Sequence, residues 1–212
     1  IFIELNVQII ARSMQSLIIF IKNPIAGKTK TRLAASVGHE RALKMYQQLM
    51  DYTRDQAQGL LNAQRLLYYS DFIAENDSWP VAQFNKLVQM GEDLGARMNN
   101  AFTSAFEGGA KKVIIIGSDC PGITTGLLST AFSVLDDKDV VIGPALDGGY
   151  YLLGMKHPQP ELFQGISWST ETVAQQTRNQ AIKLGLSIAE LVPLSDVDYL
   201  EDWLSYGWKV PA

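Results

Sequence analysis

Four cations fall within eleven residues in Lys22-Asn23-Pro24-Ile25-Ala26-Gly27-Lys28-Thr29-Lys30-Thr31-Arg32, directly after an apolar run from Leu17 to Ile21. Lysine and arginine supply charge and donors to phosphate oxygens, and a glycine such as Gly27 lets the backbone approach a ligand closely. Gly27-Lys28-Thr29 looks like the end of a P-loop. That motif, however, needs a glycine five positions before its second one, and Lys22 stands there. The segment therefore reads either as a different phosphate cradle or as a solvated basic loop.

Two further clusters follow strand-like runs. Gly117-Ser118-Asp119-Cys120-Pro121-Gly122 comes straight after Val113 to Ile116. A carboxylate at the end of a buried strand can hold Mg²⁺ or Mn²⁺, hard cations that prefer oxygen ligands and bridge to phosphates. It can also simply cap the next turn. Cys120 has no histidine near it in sequence and reads as a small residue packed in that turn. Gly143-Pro144-Ala145-Leu146-Asp147-Gly148-Gly149-Tyr150 carries an Asp-Gly-Gly that suits a hairpin turn. It would equally hold the backbone near a substrate, with Asp147 touching a hydroxyl or a water. Near the end, Asp196-Val197-Asp198 precedes Tyr199-Leu200-Glu201-Asp202. Acidic residues favour a helix start, and one of these aspartates is also a candidate second metal ligand. In Gln89-Met90-Gly91-Glu92-Asp93-Leu94-Gly95-Ala96-Arg97-Met98, two glycines close to a helix start imply that something approaches there. Leu94 and Met98 read as core and Arg97 as surface.

The elements that must position these groups alternate. Strands are expected at Leu17 to Ile21, Arg65 to Tyr69, Lys86 to Gln89, Val113 to Ile116, Val140 to Ile142 and Tyr150 to Leu153. Helical spacing runs from Gly38 to Gln58, from Leu94 to Phe106 ending at Gly108-Gly109, from Leu127 to Leu135, and from Thr172 to Leu184 with Ser169 or Thr170 as cap. A last helix starts near Leu200. This order predicts an α/β fold with a mostly parallel sheet covered on both faces. Ligands of such folds bind in the crevice at the carboxyl ends of the strands, which is where the three clusters fall. His157 to Pro160 reads as a surface turn.

Composition narrows the function. With 18 Lys+Arg against 22 Asp+Glu the chain carries a net charge of −4, which speaks against a broad basic surface for nucleic acid. Two histidines and one cysteine cannot build a four-ligand zinc site, and the lone Cys120 fits a reducing, cytoplasmic compartment. No apolar run approaches the ~20 residues that span a bilayer. At 212 residues a single domain is expected. Residues 1–13, which precede Met14, read as an extension without catalytic duty, leaving residues 14–212 as the working domain.

Taken in order, Pro-x-x-Gly-x-x-Lys-Thr-Arg-Leu, Asp-Leu-Gly-x-Arg-Met, Gly-Ser-Asp-Cys-Pro-Gly and Gly-Pro-x-x-Asp-Gly-Gly-Tyr-Tyr-Leu-Leu-Gly resemble a bacterial family of small glycosyltransferase-like proteins. This is the DUF2064 group, also labelled arsenosugar-biosynthesis glycosyltransferases. Trp168-Ser169-Thr170 and Asp196-Val197-Asp198 complete the match, which runs from about residue 17 to 203 and omits residues 1–13. The family is similar to nucleotide-diphospho-sugar transferases of the GT-A fold. The resemblance implies a Rossmann-like α/β/α sandwich, Mg²⁺ or Mn²⁺ on aspartates, and a nucleotide near the first strand and its loop. It places Lys30 and Arg32 on the nucleotide phosphates, with Lys22, Gly27, Arg97, Gly148 and Gly149 also around the nucleotide. Asp119 and Asp198 would be the metal ligands, and Asp147 would orient the acceptor or act as base. Asp198-Tyr199-Leu200-Glu201-Asp202 stands where nucleotidyltransferases have Asp-Thr-Pro-Glu-Asp, without the Thr-Pro. The expected activity is metal-dependent transfer of a sugar from a nucleotide sugar to a small acceptor. The alternatives are a nucleotidyltransferase that joins an NTP to a phosphorylated substrate with release of pyrophosphate, and a nucleotide-binding module without catalysis.

Overall fold

Along Gln15–Ile21 (β1) successive side chains enter two different cores. Leu17, Ile19 and Ile21 belong to one and Ile18 to the other. Only a strand covered on both faces needs apolar residues at both parities. The chain continues through Thr31–Val37 (α1), His39–Gln58 (α2), Ala63–Tyr69 (β2), Asn85–Val88 (β3), Leu94–Glu107 (α3), Lys112–Ile116 (β4), Thr125–Asp137 (α4), Val140–Pro144 (β5) and Tyr150–Met155 (β6). A 3-10 turn at Pro160–Phe163, then Val173–Lys183 (α5), Ile188–Glu190 (β7) and Leu200–Ser205 (α6) complete it. This computed structural model describes residues 14–212, so the expectation for residues 1–13 lies outside the described residues.

The strands form one seven-stranded sheet in the order β3-β2-β1-β4-β6-β5-β7. β6 runs antiparallel to both neighbours, and the other pairings are parallel. Ile114 and Ile116 of β4 join Leu17 and Ile19 beneath α2 and α4, while Val113 and Ile115 join Ile18 beneath α3. The result is the α/β/α sandwich with a mostly parallel sheet. The chain leaves β1 toward β2 on one side, and β4 returns to pair on the other. The carboxyl ends of β1 and β4 therefore flank the point where the strand order reverses, the usual ligand crevice of such a sheet.

Four expectations need correction. Leu94, read as core, is exposed at the first position of α3, while Met98 is buried as expected. Neither Ser169 nor Thr170 caps α5. Thr172 holds the cap position without a side-chain bond to the helix; Ser169 turns left-handed (φ 64°) and the Thr170 hydroxyl donates to Ser167 O. α1 lies inside the stretch read as a loop, and only Leu33 and Ala34 of its seven residues are buried, too few to show a helical pattern. β7 is a three-residue edge strand with no buried residue, so its sequence carries no apolar signature.

Candidate functional site

A cavity of about 510 Å³ opens at the carboxyl ends of β1 and β4. Its walls include Lys22, Lys28, Lys30 and Arg32 from the segment after β1, and Gly117, Ser118 and Asp119 from the loop after β4. Asp198, from the far end of the chain, completes the wall. The 196–198 segment is laid beside the β4 loop by a backbone bond from Val197 N to Asp119 O (2.9 Å), with the Val197 side chain fully buried.

The centre of the site is an ion-pair chain. Lys30 Nζ stands 3.0 Å from Asp119 Oδ2 and 3.3 Å from Asp198 Oδ1, and Arg32 Nη1 reaches Asp198 Oδ2 at 2.9 Å. The local backbone is bent to allow this. Lys28 N and Thr29 N both donate to Ile25 O, and Lys30 then adopts a left-handed conformation (φ 50°, ψ 46°) before its carbonyl opens α1. That conformation costs a non-glycine residue about 1–2 kcal/mol. It sends the Lys30 side chain inward, leaving 7% of it exposed, whereas Arg32 stays 65% exposed beneath the Tyr199 ring. Burial pulls the Lys30 ammonium down, but Asp119, Asp198 and Asp196 outweigh it and the net pKa is raised. For Asp119 burial pushes upward, and the charge and hydrogen bond of Lys30, aided by Lys22, bring the net value below the ordinary carboxylate range.

Asp119 and Asp198 are thus brought together, and so is Asp196, which the motif reading left as one of two choices. Asp196 Oδ1 is buried and makes no hydrogen bond. Burial first, then the neighbouring charge of Asp119, pushes its carboxyl up to about 8. The Asp-Val-Asp spacing carries the signal, because a buried Val197 with a carboxylate on each side delivers two acids to one place. Tyr46 and Asn23 carried no such signal. Tyr46 sits on the buried face of α2, yet its hydroxyl accepts from Lys22 N (2.9 Å) and lies 3.1 Å from Ser118 Oγ, joining the two cation- and acid-bearing loops. Asn23 pins the loop after β2 by accepting from Asp71 N (3.0 Å) and donating to Phe72 O (2.8 Å).

Other expected residues fall outside the cavity wall. Gly27 is exposed, with φ 78° in the turn that precedes Lys28. Arg97 donates to Gly91 O (3.2 Å) and so ties the start of α3 to its own preceding loop. What approaches Gly95 is Trp168, whose ring lies 2.4 Å from where a Cβ would stand. Asp147, Gly148 and Gly149 form the β5–β6 turn, with Asp147 Oδ1 accepting from Gly149 N (3.0 Å). Gly148 is held against the backbone ahead of α5, where a Cβ would meet Glu171 O at 1.9 Å. The charge of Asp147 is among the lesser causes that raise the Asp196 carboxyl.

Among the described residues no three His, Cys, Asp or Glu side chains gather closely enough to hold a metal ion by themselves. Mg²⁺, however, is commonly held by one or two carboxylates plus phosphate oxygens and water. Asp119 and Asp198 already direct one oxygen each at a single cation, Lys30. As a donor set the pair fits a hard divalent ion.

A family model described as "Uncharacterized protein conserved in bacteria (DUF2064)" matches residues 53–170, more than half of the chain. The chain belongs to the DUF2064 family. It is similar to a protein from Desulfovibrio desulfuricans G20 assigned as a nucleotide-diphospho-sugar transferase. That likeness has 33% identity and a TM-score of 0.82 over 88% of this chain and 83% of that one. More distant structures share the fold alone. Rv0371c of Mycobacterium tuberculosis H37Rv, in complex with manganese, has 13% identity and a TM-score of 0.56, covering 90% of this chain and 96% of that one. CMP:2-keto-3-deoxy-manno-octonic acid synthetase complexed with CTP has 10% identity and a TM-score of 0.54 over 90% and 96%. No curated protein matches the chain. Among the described residues of this DUF2064 protein, no helix is long and apolar enough to cross a membrane.

Proposed function

We propose that this DUF2064 protein transfers a glycosyl group from a nucleotide sugar to a small acceptor, with Mg²⁺ or Mn²⁺ at Asp119 and Asp198. The observation that carries this reading is the meeting of Lys22, Lys28, Lys30 and Arg32 with Asp119 and Asp198 around one cavity at the β1/β4 switch point. That combination suits a diphosphate, since the cations would take its oxygens and Asp119 and Asp198 would hold a divalent ion that adds positive charge for it. A bound metal would neutralise charge on the diphosphate. The chain's own cations would do the same work. As the bond between the sugar carbon and the phosphate oxygen breaks, negative charge grows on the leaving diphosphate, and the ammonium and guanidinium groups stabilise it. Such preorganised donors contribute most where charge develops. The acceptor oxygen bonds to the sugar carbon and loses its proton to a base. In this reading Asp147, in the β5–β6 turn, is the candidate base, although it stands outside the cavity wall.

A nucleotidyltransferase would use the same cations and acids, because it too moves charge onto phosphate oxygens, and the fold is shared with a CTP-bound synthetase. Products separate the two. Incubation with UDP-, GDP-, CDP- and ADP-sugars and Mn²⁺ is expected to release nucleoside diphosphate with one of them. Asp119→Asn is expected to lower the rate by about 100-fold or more. Pyrophosphate release from an NTP would select the second reading, and full metal-dependent transfer by the Asn variant would refute the first.

A further inference from the structure

A divalent cation shared by Asp119 and Asp198 would compete with the Lys30 ammonium for the same two carboxylates, because like charges at such short range repel. Lys30 Nζ now holds Asp119 Oδ2 at 3.0 Å and Asp198 Oδ1 at 3.3 Å, while Arg32 takes the second oxygen of Asp198 at 2.9 Å. The inward position of Lys30 is built into the backbone by its left-handed conformation, one of two among the described non-glycine residues. Lys30 is thus the cation that stands between the two carboxylates. Lys30 also lines the cavity that its neighbours Lys22, Lys28 and Arg32 make attractive to phosphate. An anion arriving there competes with the aspartates for the same ammonium.

We propose that Lys30 is a resident counter-cation that keeps a divalent metal off the Asp119–Asp198 pair until nucleotide phosphates draw it away, so that metal loads with nucleotide and not before it. The inference rests on the nucleotide-and-metal reading above and adds an order of binding to it. Its thermodynamic content is linkage. A site whose competent state is a minor fraction binds with an affinity reduced by that fraction, and a second ligand that favours the competent state restores it.

The test is a titration of the full chain with Mn²⁺ alone, followed by the electron-paramagnetic-resonance signal of the free ion. Lys30→Met is expected to bind Mn²⁺ at least about tenfold more tightly than the wild type. Asp119→Asn placed on top of it is expected to abolish the gain. Lys30→Gln gives the same comparison should the Met variant fail a melting check. Equal Mn²⁺ affinity in the wild type and both variants overturns the inference. If the wild type nonetheless binds Mn²⁺ in the presence of UDP, GDP, CDP or ADP, the metal reading of the site survives that result. If no protein binds Mn²⁺ even with those nucleotides present, the metal reading falls and the inference falls with it.

Discussion

The two ends of the same sheet treat charge in opposite ways. At the amino ends of β5 and β7, Asp139 is clamped. Its Oδ2 accepts from Ser187 N (2.8 Å) and Ser187 Oγ (2.6 Å), and its Oδ1 pairs with Lys156 at 3.2 Å. The hydrogen bonds from Ser187 bring its carboxyl down to about 2. At the carboxyl ends of β1 and β4, Asp196 has a buried oxygen without a partner and a carboxyl raised to about 8, and a lysine must adopt a left-handed backbone to serve its neighbours. One end spends its charges on joining two strands. The other keeps a buried acid with an unpartnered oxygen beside two ion-paired aspartates, which lowers stability.

The comparison breaks most visibly at the satisfied end. Asp139→Ala removes two charge-assisted hydrogen bonds that join β5 to β7 and an ion pair to Lys156 at the end of β6. Discounted for partial exposure, the loss is expected to be about 2 kcal/mol in urea unfolding near pH 7. Because the folded pKa is depressed, this contribution is whole above the ordinary carboxylate pKa of 3.8 and fades as pH falls through about 2. The gap between wild type and variant should therefore be constant from pH 5 upward and close toward pH 2. A gap independent of pH would mean that the carboxylate charge is not what the clamp uses.

At the site end the sign reverses. Asp196→Asn keeps the shape of the side chain and removes a buried acid from beside Asp119. It is expected to stabilise the protein by about 1 kcal/mol, raising the melting midpoint by about 3 °C for a domain of this size. Differential scanning calorimetry at pH 7 decides it. A lower midpoint would show that Asp196 is satisfied in the folded protein, and the contrast between the two ends would disappear.

The contrast also shows what was legible in the sequence. The strands were readable where both parities are apolar, as in Leu17 to Ile21 and Val113 to Ile116, because burial on both faces leaves no choice of residue. The acids and cations after them were readable because such sheets bind ligands at strand carboxyl ends. α1, β7 and the cap of α5 were not, since each is short and held by tertiary contacts rather than by a pattern of its own. The approach of Trp168 to Gly95 and the link from Tyr46 to Ser118 join residues 73 and 72 apart, distances that no local motif spans. The least legible feature was the target of Lys30. Its motif implies phosphate, whereas the ammonium rests on two aspartates contributed by segments 89 and 168 residues further along.

Lys156 gives the finest test of how the satisfied end works. Its ammonium lies 3.2 Å from Asp139 Oδ1, and 27% of its side chain is exposed. Of the causes that lower the Asp139 carboxyl, the bonds from Ser187 come first and those from Lys156 last. Exposed ion pairs of this kind contribute little because solvent screens them and long side chains lose freedom. Lys156→Met is therefore expected to cost at most about 0.5 kcal/mol in urea unfolding and to leave the β5–β7 junction intact. Raising the salt to 1 M should erase even that difference, since the Debye length then falls to about 3 Å. A loss as large as that of Asp139→Ala would instead assign the clamp to the ion pair, and the serine bonds would become the lesser part of it.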